Sequence, residues 1–469
     1  MDEALREKLV DWIGPLVGGE VTSLERSQAR REGFYVDVLG ASGEQRAFFL
    51  RLGRPGDPAN DPRTTAFEAD VNRTLRALGV RVAEVFGTKP DCHAALYERV
   101  RGRSDLERVG AAGQQAIYRD YLTQLAHLHG LDPDRIRIDG LSRPKTAEDC
   151  ALVELAKVEA DFAPLICEPL ATFGLQWLRR HVPRTVDRIA FVHGDAGTPN
   201  FMFENEAVSA LIDWEWAHFG DPMEDLGNAA IHASFHLSGE WPELLDHYAK
   251  VSGMPVDLER VAYYRAHLMV RSVLALAAAT TRWDPHTPVA LNLCFRVVSD
   301  RICCDAIAAA MGIELERPEL PDGPEAPTTL YGVVAENLRS EVRPAVEDAF
   351  AANRLDAAVL LVQALERVHR LGPALEQIEL DELSKLLGDR PMDLASGLAR
   401  LDRELPRLRS RTRGRSPPLP RPSRVADRTA LRARREPVSG LRAASAGPRA
   451  LIAWRMSDRS CSRSPSTRR

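Results

Sequence analysis

The sequence predicts an α+β chain with a small antiparallel sheet first, a mainly helical region next, then a small helical module and a disordered tail. Three observations carry this. Between Val21 and Gly102 apolar residues come in alternating or short continuous runs broken by Gly and Ser. Beyond Gly102 they recur at helical spacing. From Pro406 the text changes to Arg, Pro and Ser with too little apolar surface to fold alone.

The opening MDEALREKLVDWIG puts Leu5, Leu9, Trp12 and Ile13 on one helical face. It lacks a basic n-region, so no leader peptide is expected. GFYVDVLGASGEQRAFFLRLG holds two strand-like runs around a Gly/Ser turn, a hairpin signal. FEADVNRTLRALG follows as a helix, with Phe67, Val71, Leu75 and Leu78 on one face. VRVAEVFG and AALYERV add two strands, so the first unit, residues 1–102, is expected to be a sheet carrying one helix.

Residues 103–315 read as a helical lobe. In QQAIYRDYLTQLAHLHGL the residues Ile117, Tyr121, Leu125 and Leu128 share a face. Short strands are expected only at IAFV, FMF and AVSALI, and helices resume through EDLGNAAIHASF and RVAYYRAHLMVRSVLALAAA. The proline-dense residues 316–329 read as a linker. Beyond it, Leu330, Val334, Leu338, Val342, Val346 and Phe350 recur every four residues, and Leu355, Val359, Val362, Leu365 and Val368 form a second stripe. About three helices are expected to pack into a module over 330–405, offering a surface to a second copy or a protein partner.

The formal charge of −5 hides an asymmetry. Residues 406–469 hold eighteen Arg, no Lys and three acids, so that stretch carries +15 and residues 1–405 carry −20. A body so acidic argues against nucleic acid as substrate and leaves basic or zwitterionic ligands open. The change of composition at Pro406 fits a solvated extension or a frameshifted terminus. Seven cysteines without a C-x-x-C pair read as reduced thiols in a cytoplasmic protein. The most apolar stretch, 268–280, is interrupted by Arg271 and falls short of the roughly 20 residues a membrane span needs.

Chemistry concentrates in FVHGDAGTPNFMF and LIDWEWAHFGDP. A strand at IAFV delivers Asp195 to a loop, Asn200 returns at the start of FMF, and a hairpin through FENEAV brings Asp213 out beside Asn200. Three oxygen-bearing side chains then share one rim. Phosphoryl transfer asks for such a set: a base at the acceptor hydroxyl and hard oxygen ligands for a divalent metal. His193 is expected to clamp the loop.

HGDAGTPN followed by IDWE resembles the paired signatures of the aminoglycoside phosphotransferase and choline kinase family, whose fold is that of protein kinases. HFGDPMEDLG is similar to the phosphotransferase domains associated with acyl-CoA dehydrogenases. The resemblance covers roughly Val21 to Ala310. It implies a two-lobed kinase-like fold using ATP and Mg2+ to phosphorylate a small-molecule hydroxyl, a hydroxyacyl thioester or another hydroxylated metabolite. It makes Asp195 the catalytic base, Asn200 and Asp213 the metal ligands, Arg51 with Glu68 the phosphate-anchoring pair, and Glu98 to Val100 the hinge against adenine. Two departures stand out. Arg51 occupies a position where many relatives have Lys, and the turn expected to cover the phosphates, Ser27 to Glu32, has only Gly33 at its edge. Both keep open a catalytically degenerate chain that binds nucleotide or a partner.

Other residues carry bland readings beside functional ones. Glu215 is expected to support the metal rim or the acceptor site or to have no direct role, and Asp221 before Pro222 to take a direct role or to stabilise a turn. Trp214 and Trp216 flank Glu215, so one is expected to pack inward. His232 and His236 lie four apart but lack the Glu of a hydrolytic H-E-x-x-H site, so they read as structural or pocket-lining. A binuclear metallophosphoesterase built on His193, Asp195, Asp213 and His218 is the remaining enzymatic alternative.

Overall fold

The computed structural model describes residues 1–27, 32–53, 64–236, 240–281, 289–316 and 329–408. The turn at Ser27 to Glu32 is described only at its two ends. Most of the linker, nearly all of the basic tail and the His236 side chain lie outside the described residues. The chain divides into two compact units, one of residues 1–151 with 183–265, the other of residues 152–182 with those from 266 onward.

In the first unit, helix α1 (Glu3–Val17) begins where the Asp2 side chain accepts from the Leu5 N–H and ends at Gly18 in the left-handed region, φ 71°. Strands β1 (Gly19–Arg26), β2 (Gly33–Gly40) and β3 (Gln45–Leu52) follow. After helix α2 (Thr65–Ala77), capped by Thr64, come β4 (Val85–Lys89) and β5 (Ala94–Glu98). The five strands form one antiparallel sheet in the order β1-β2-β3-β5-β4.

Period-two alternation decides which side chains meet which helix. Phe48, Leu50 and Leu52 of β3 join Phe34, Val36 and Val38 of β2 and Leu9, Ile13 and Val17 of α1 in one core. Arg51 stands between two of those core positions, in register with Ala95. Ala95 and Tyr97 pack with Ala69 of α2 and Ala83. The sheet therefore carries two helices rather than the one expected, because the N-terminal amphipathic segment folds back on it. Burying Leu50 completely contributes about 2 kcal/mol.

The remainder of this unit is mainly helical. Helix α3 (Ala111–Gly130) precedes α4 (Ala147–Phe162), which runs into the second unit. The strands β6 (Ala190–Val192), β7 (Phe201–Glu204), β8 (Ala207–Leu211) and β9 (His218–Gly220) form two ribbons, β6 with β9 and β7 with β8. The β6, β7 and β8 segments fall at the three expected strand sites, whereas β9 has no sequence signal beyond three residues, HFG. Helices α6 (Pro222–His236), α7 (Trp241–Ser252) and the first part of α8 (Leu258–Thr281) complete this unit, while α5 (Pro169–Arg180) belongs to the other. Two backbone connections fasten the β7–β8 ribbon to the sheet unit: Leu211 N–H donates to the Arg81 carbonyl at 2.8 Å, and Arg103 exchanges both bonds with Phe203.

The second unit takes α5, the later part of α8, α9 (Val289–Ala310), α10 (Leu330–Asn337), α11 (Ala349–Leu387) and α12 (Leu394–Leu408). The stripe that begins at Leu330 does not continue as one α-helix. It passes through a π turn at Leu338–Val342 and a 3-10 turn at Arg343–Ala345, where Pro344 removes a donor. Leu375, Leu383 and Leu394 form a small core between α11 and α12. The α12 residue Asp402 accepts from Thr172 of α5.

Candidate functional site

The loop from His193 to Asn200 is held from beneath by α6. Asp225, fully buried, accepts from the backbone N–H groups of His193 (2.7 Å) and Gly194 (2.9 Å), and its Oδ2 also meets His129 Nε2 at 2.9 Å. His129 Nδ1 in turn meets the Tyr248 hydroxyl at 2.7 Å. From the other side, Tyr118 of α3 hydrogen-bonds Thr198. Gly194, at φ 78°, has no room for a side chain, since a Cβ there would sit 2.0 Å from the Trp216 carbonyl oxygen. Asp225 lies inside EDLG, a stretch that carries a helix signal and part of the HFGDPMEDLG resemblance, neither of which assigns Asp225 a role. Its role has no one-dimensional signature, because the groups it binds are backbone amides 31 and 32 residues away.

His193 is buried. Its Nε2–H donates to the Ile212 carbonyl at 2.9 Å, and its ring lies 4.5 Å from that of Trp214. His218 contacts the Trp216 carbonyl oxygen through Nδ1 and Glu224 through Nε2. Neither histidine belongs to a cluster of possible metal ligands, so the metallophosphoesterase reading has no ligand set among the described residues. The one cluster of possible ligands among the described residues is Glu68, Asp213 and Glu215, with oxygens within 4.8 Å of one another.

Asp195 and Asn200 meet directly. The Asn200 amide nitrogen lies 2.8 Å from both the Asp195 Oδ2 and the Asp195 carbonyl oxygen. Both partners only accept, so the amide orientation is fixed, and the Asn200 carbonyl oxygen is the atom turned elsewhere. Ile212 N–H donates to the Asn200 main-chain carbonyl at 3.0 Å, extending the β7–β8 ladder one step and setting Asp213 next in line. Asp213 adopts φ 66° and ψ 62°, a left-handed conformation that Asp tolerates better than most residues. Trp214 is buried and Trp216 half-buried, so one of the pair does pack inward.

Arg51 reaches this rim from the sheet. Its Nη2 lies 3.0 Å from Asp213 Oδ1 and 3.5 Å from Glu68 Oε1. Burial works against its charge, but Glu68 and Asp213 outweigh that and hold its pKa above the ordinary arginine value. Glu68 is buried on α2. Tyr97, beneath the same group, has its hydroxyl pKa pushed up by burial and then by Glu68. In the sequence Tyr97 carries no signal beyond its place in the strand-like run AALYERV. At the end of β5, Glu98 N–H donates to the Glu84 carbonyl, its side chain faces Arg76 and accepts from Glu84 N–H, and Val100 packs beside Tyr97.

Asp221 is not part of this rim. It is buried, accepts from Met223 N–H and pairs with Arg260 at 3.2 Å, as suits a turn at the start of α6. His232, also on α6, brings Nε2 to 3.7 Å from Asp195 Oδ1.

The pattern of the phosphotransferase enzyme family matches residues 28–264. Acyl-CoA dehydrogenase family member 11 of Rattus norvegicus is 26% identical over 241 residues, 46% of this chain and 29% of that protein. The chain thus spans under a third of that relative's length. An aminoglycoside 3'-phosphotransferase of Niallia circulans is 27% identical over 176 residues, 36% of this chain and 64% of that one. Among solved structures, choline kinase LicA from Streptococcus pneumoniae aligns with a TM-score of 0.45 at 15% identity, covering 66% of this chain and all of that one. No helix among the described residues is long and apolar enough to cross a membrane.

Proposed function

Because this chain belongs to the phosphotransferase enzyme family, we propose that it moves the γ-phosphoryl group of ATP to a hydroxyl of a small molecule. The observation that carries this reading is the contact of Asn200 with Asp195 beside a second carboxylate, Asp213, that Arg51 ties to Glu68. Such a set combines a carboxylate base, oxygen ligands and a cation in one rim, which is what phosphoryl transfer requires of a protein.

In this proposal Asp195 accepts the proton of the acceptor hydroxyl as its oxygen bonds to the γ-phosphorus, and the bond to the β,γ-bridging oxygen breaks to release ADP. Asn200 holds Asp195 from Oδ2 and keeps the carboxylate plane fixed. The donor chemistry of Asn200, Asp213 and the neighbouring Glu68 and Glu215 is all oxygen, which suits Mg2+. When bound there, Mg2+ supplies charge neutralisation to the phosphate oxygens. Arg51 offers a forked donor to the same oxygens, and the segment Glu98 to Val100 borders the adenine.

The similarity to acyl-CoA dehydrogenase family member 11 favours a hydroxyacyl thioester as acceptor, and the aminoglycoside phosphotransferase favours a hydroxylated amine or sugar. A panel of such alcohols, assayed for ADP formation with ATP and Mg2+, tests the proposal. Turnover of one class over the others supports it. ATP binding without phosphorylation of any acceptor, water included, points instead to a degenerate chain, a reading favoured by the commitment of Asp213 to Arg51 in this structure.

A further inference from the structure

His232 occupies a place that a structural histidine does not need. Its Nε2 is buried without a hydrogen-bond partner in this structure, yet Asp195 Oδ1 lies only 3.7 Å away. The ring is pressed against the loop itself: a Cβ on Gly197 would meet His232 Cδ2 at 2.4 Å and its Cβ and Cγ at 2.6 Å. Gly197 has φ 141°, so its backbone and its missing side chain both accommodate that approach. Asp195 is meanwhile held at its other oxygen, Oδ2, by Asn200.

We propose that His232 is a positioning residue for Asp195, its Nε2–H donating to Oδ1 once the site is loaded. The proposal rests on the reading of Asp195 as the base. At 3.7 Å the contact is longer than a hydrogen bond. Hydrogen bonds of this kind run long in ligand-free sites and tighten when substrate binds. Two donors, one on each carboxylate oxygen, stop rotation about the Cβ–Cγ bond. Each oxygen has two lone-pair directions, and in this proposal the acceptor hydroxyl meets the second one of Oδ1.

The test uses the full chain with ATP and Mg2+, water serving as acceptor, and phosphate release as readout. His232→Ala is expected to lower kcat by about tenfold to a hundredfold, the scale of a displaced reacting group, with the KM for ATP unchanged. His232→Gln, whose amide nitrogen falls near the ring Nε2, is expected to recover most of the loss, and the shorter His232→Asn is not. In parallel, 15N-histidine NMR follows the ring nitrogens of His232, assigned by their disappearance in His232→Gln. Adding a non-hydrolysable ATP analogue with Mg2+ is expected to move the Nε2 signal in the parent and not in Asp195→Asn. Alanine within twofold of the parent, glutamine no better than alanine, or an Nε2 signal indifferent to Asp195 each overturns the proposal. Full turnover in Asp195→Asn strikes the base reading itself and is a separate result.

Discussion

Arg51 Nη2 and Asp213 Oδ1 stand 3.0 Å apart although 162 residues separate them in the chain. The guanidinium belongs to the sheet and the carboxylate to the turn after β8, so this pair joins the two halves of the candidate site. Glu68 closes the triad from α2 at 3.5 Å. With Arg51 removed, two carboxylates face each other with little solvent to separate them.

Arg51→Met is therefore expected to destabilise the fold by about 3 kcal/mol, the cost of leaving a buried charge uncompensated. Arg51→Lys should lose less, since an ammonium keeps the positive charge near both carboxylates, although on a shorter side chain than the one whose Nη2 meets both here. Chemical denaturation of the two variants against the parent checks the order. Equal stability in all three would show that the triad is not a structural tie.

Asp195→Asn is expected to lower turnover by about 10²- to 10⁴-fold, the range for loss of a general base. Nucleotide affinity should hold, because Asp195 is assigned to the acceptor rather than to ATP. Rapid-mix kinetics with calorimetric titration of ATP separates the two quantities. A weakened nucleotide affinity with normal turnover at saturation contradicts the assignment.

Asp213→Ala is expected to abolish the Mg2+ dependence of nucleotide binding and to leave Arg51 paired with Glu68 alone. ATP-analogue titrations with and without Mg2+ provide the check. Persistence of the Mg2+ effect at parental strength moves the metal away from Asp213.

Asp225→Asn replaces an acceptor with a group that turns N–H toward the N–H of His193 or Gly194. Buried donors left unsatisfied cost about 1–3 kcal/mol each. A loss of about 3 kcal/mol with a large fall in turnover is expected, read from unfolding curves and phosphate release. Unaltered stability would show that the loop does not depend on α6.

Asp221 supplies a pH test outside the site. Burial, its largest influence, raises its pKa to about 6, against lowering by the Met223 N–H and Arg260. The unfolded value is about 3.9, so the folded chain binds more protons between the two. Stability from protonated Asp221 is full below about pH 4 and is lost as pH rises through about 6. Asp221→Asn has no such titration. Whatever the constant offset, its Tm should gain on the parent's from pH 4 to 6.5 and then run parallel; a flat difference across that window rules the effect out.

The sequence by itself determined β6, β7, β8 and the helix after the motif, though not β9, because periodicity and turn residues act over a few positions. It also determined the family, because H-G-D-x-x-x-x-N and I-D-W-E are contiguous words. It fixed the face of β3 on which Arg51 stands, through simple alternation with Phe48, Leu50 and Leu52. It did not determine that α1 folds onto the sheet, that Asp225 carries the loop, or that His232 approaches Asp195. Those depend on side chains and amides brought together from distant segments. A buried carboxylate recognising backbone N–H groups leaves no mark on the residues it binds, since every non-proline residue carries the same amide. Only the packing of α6 beneath the loop decides which two amides they are.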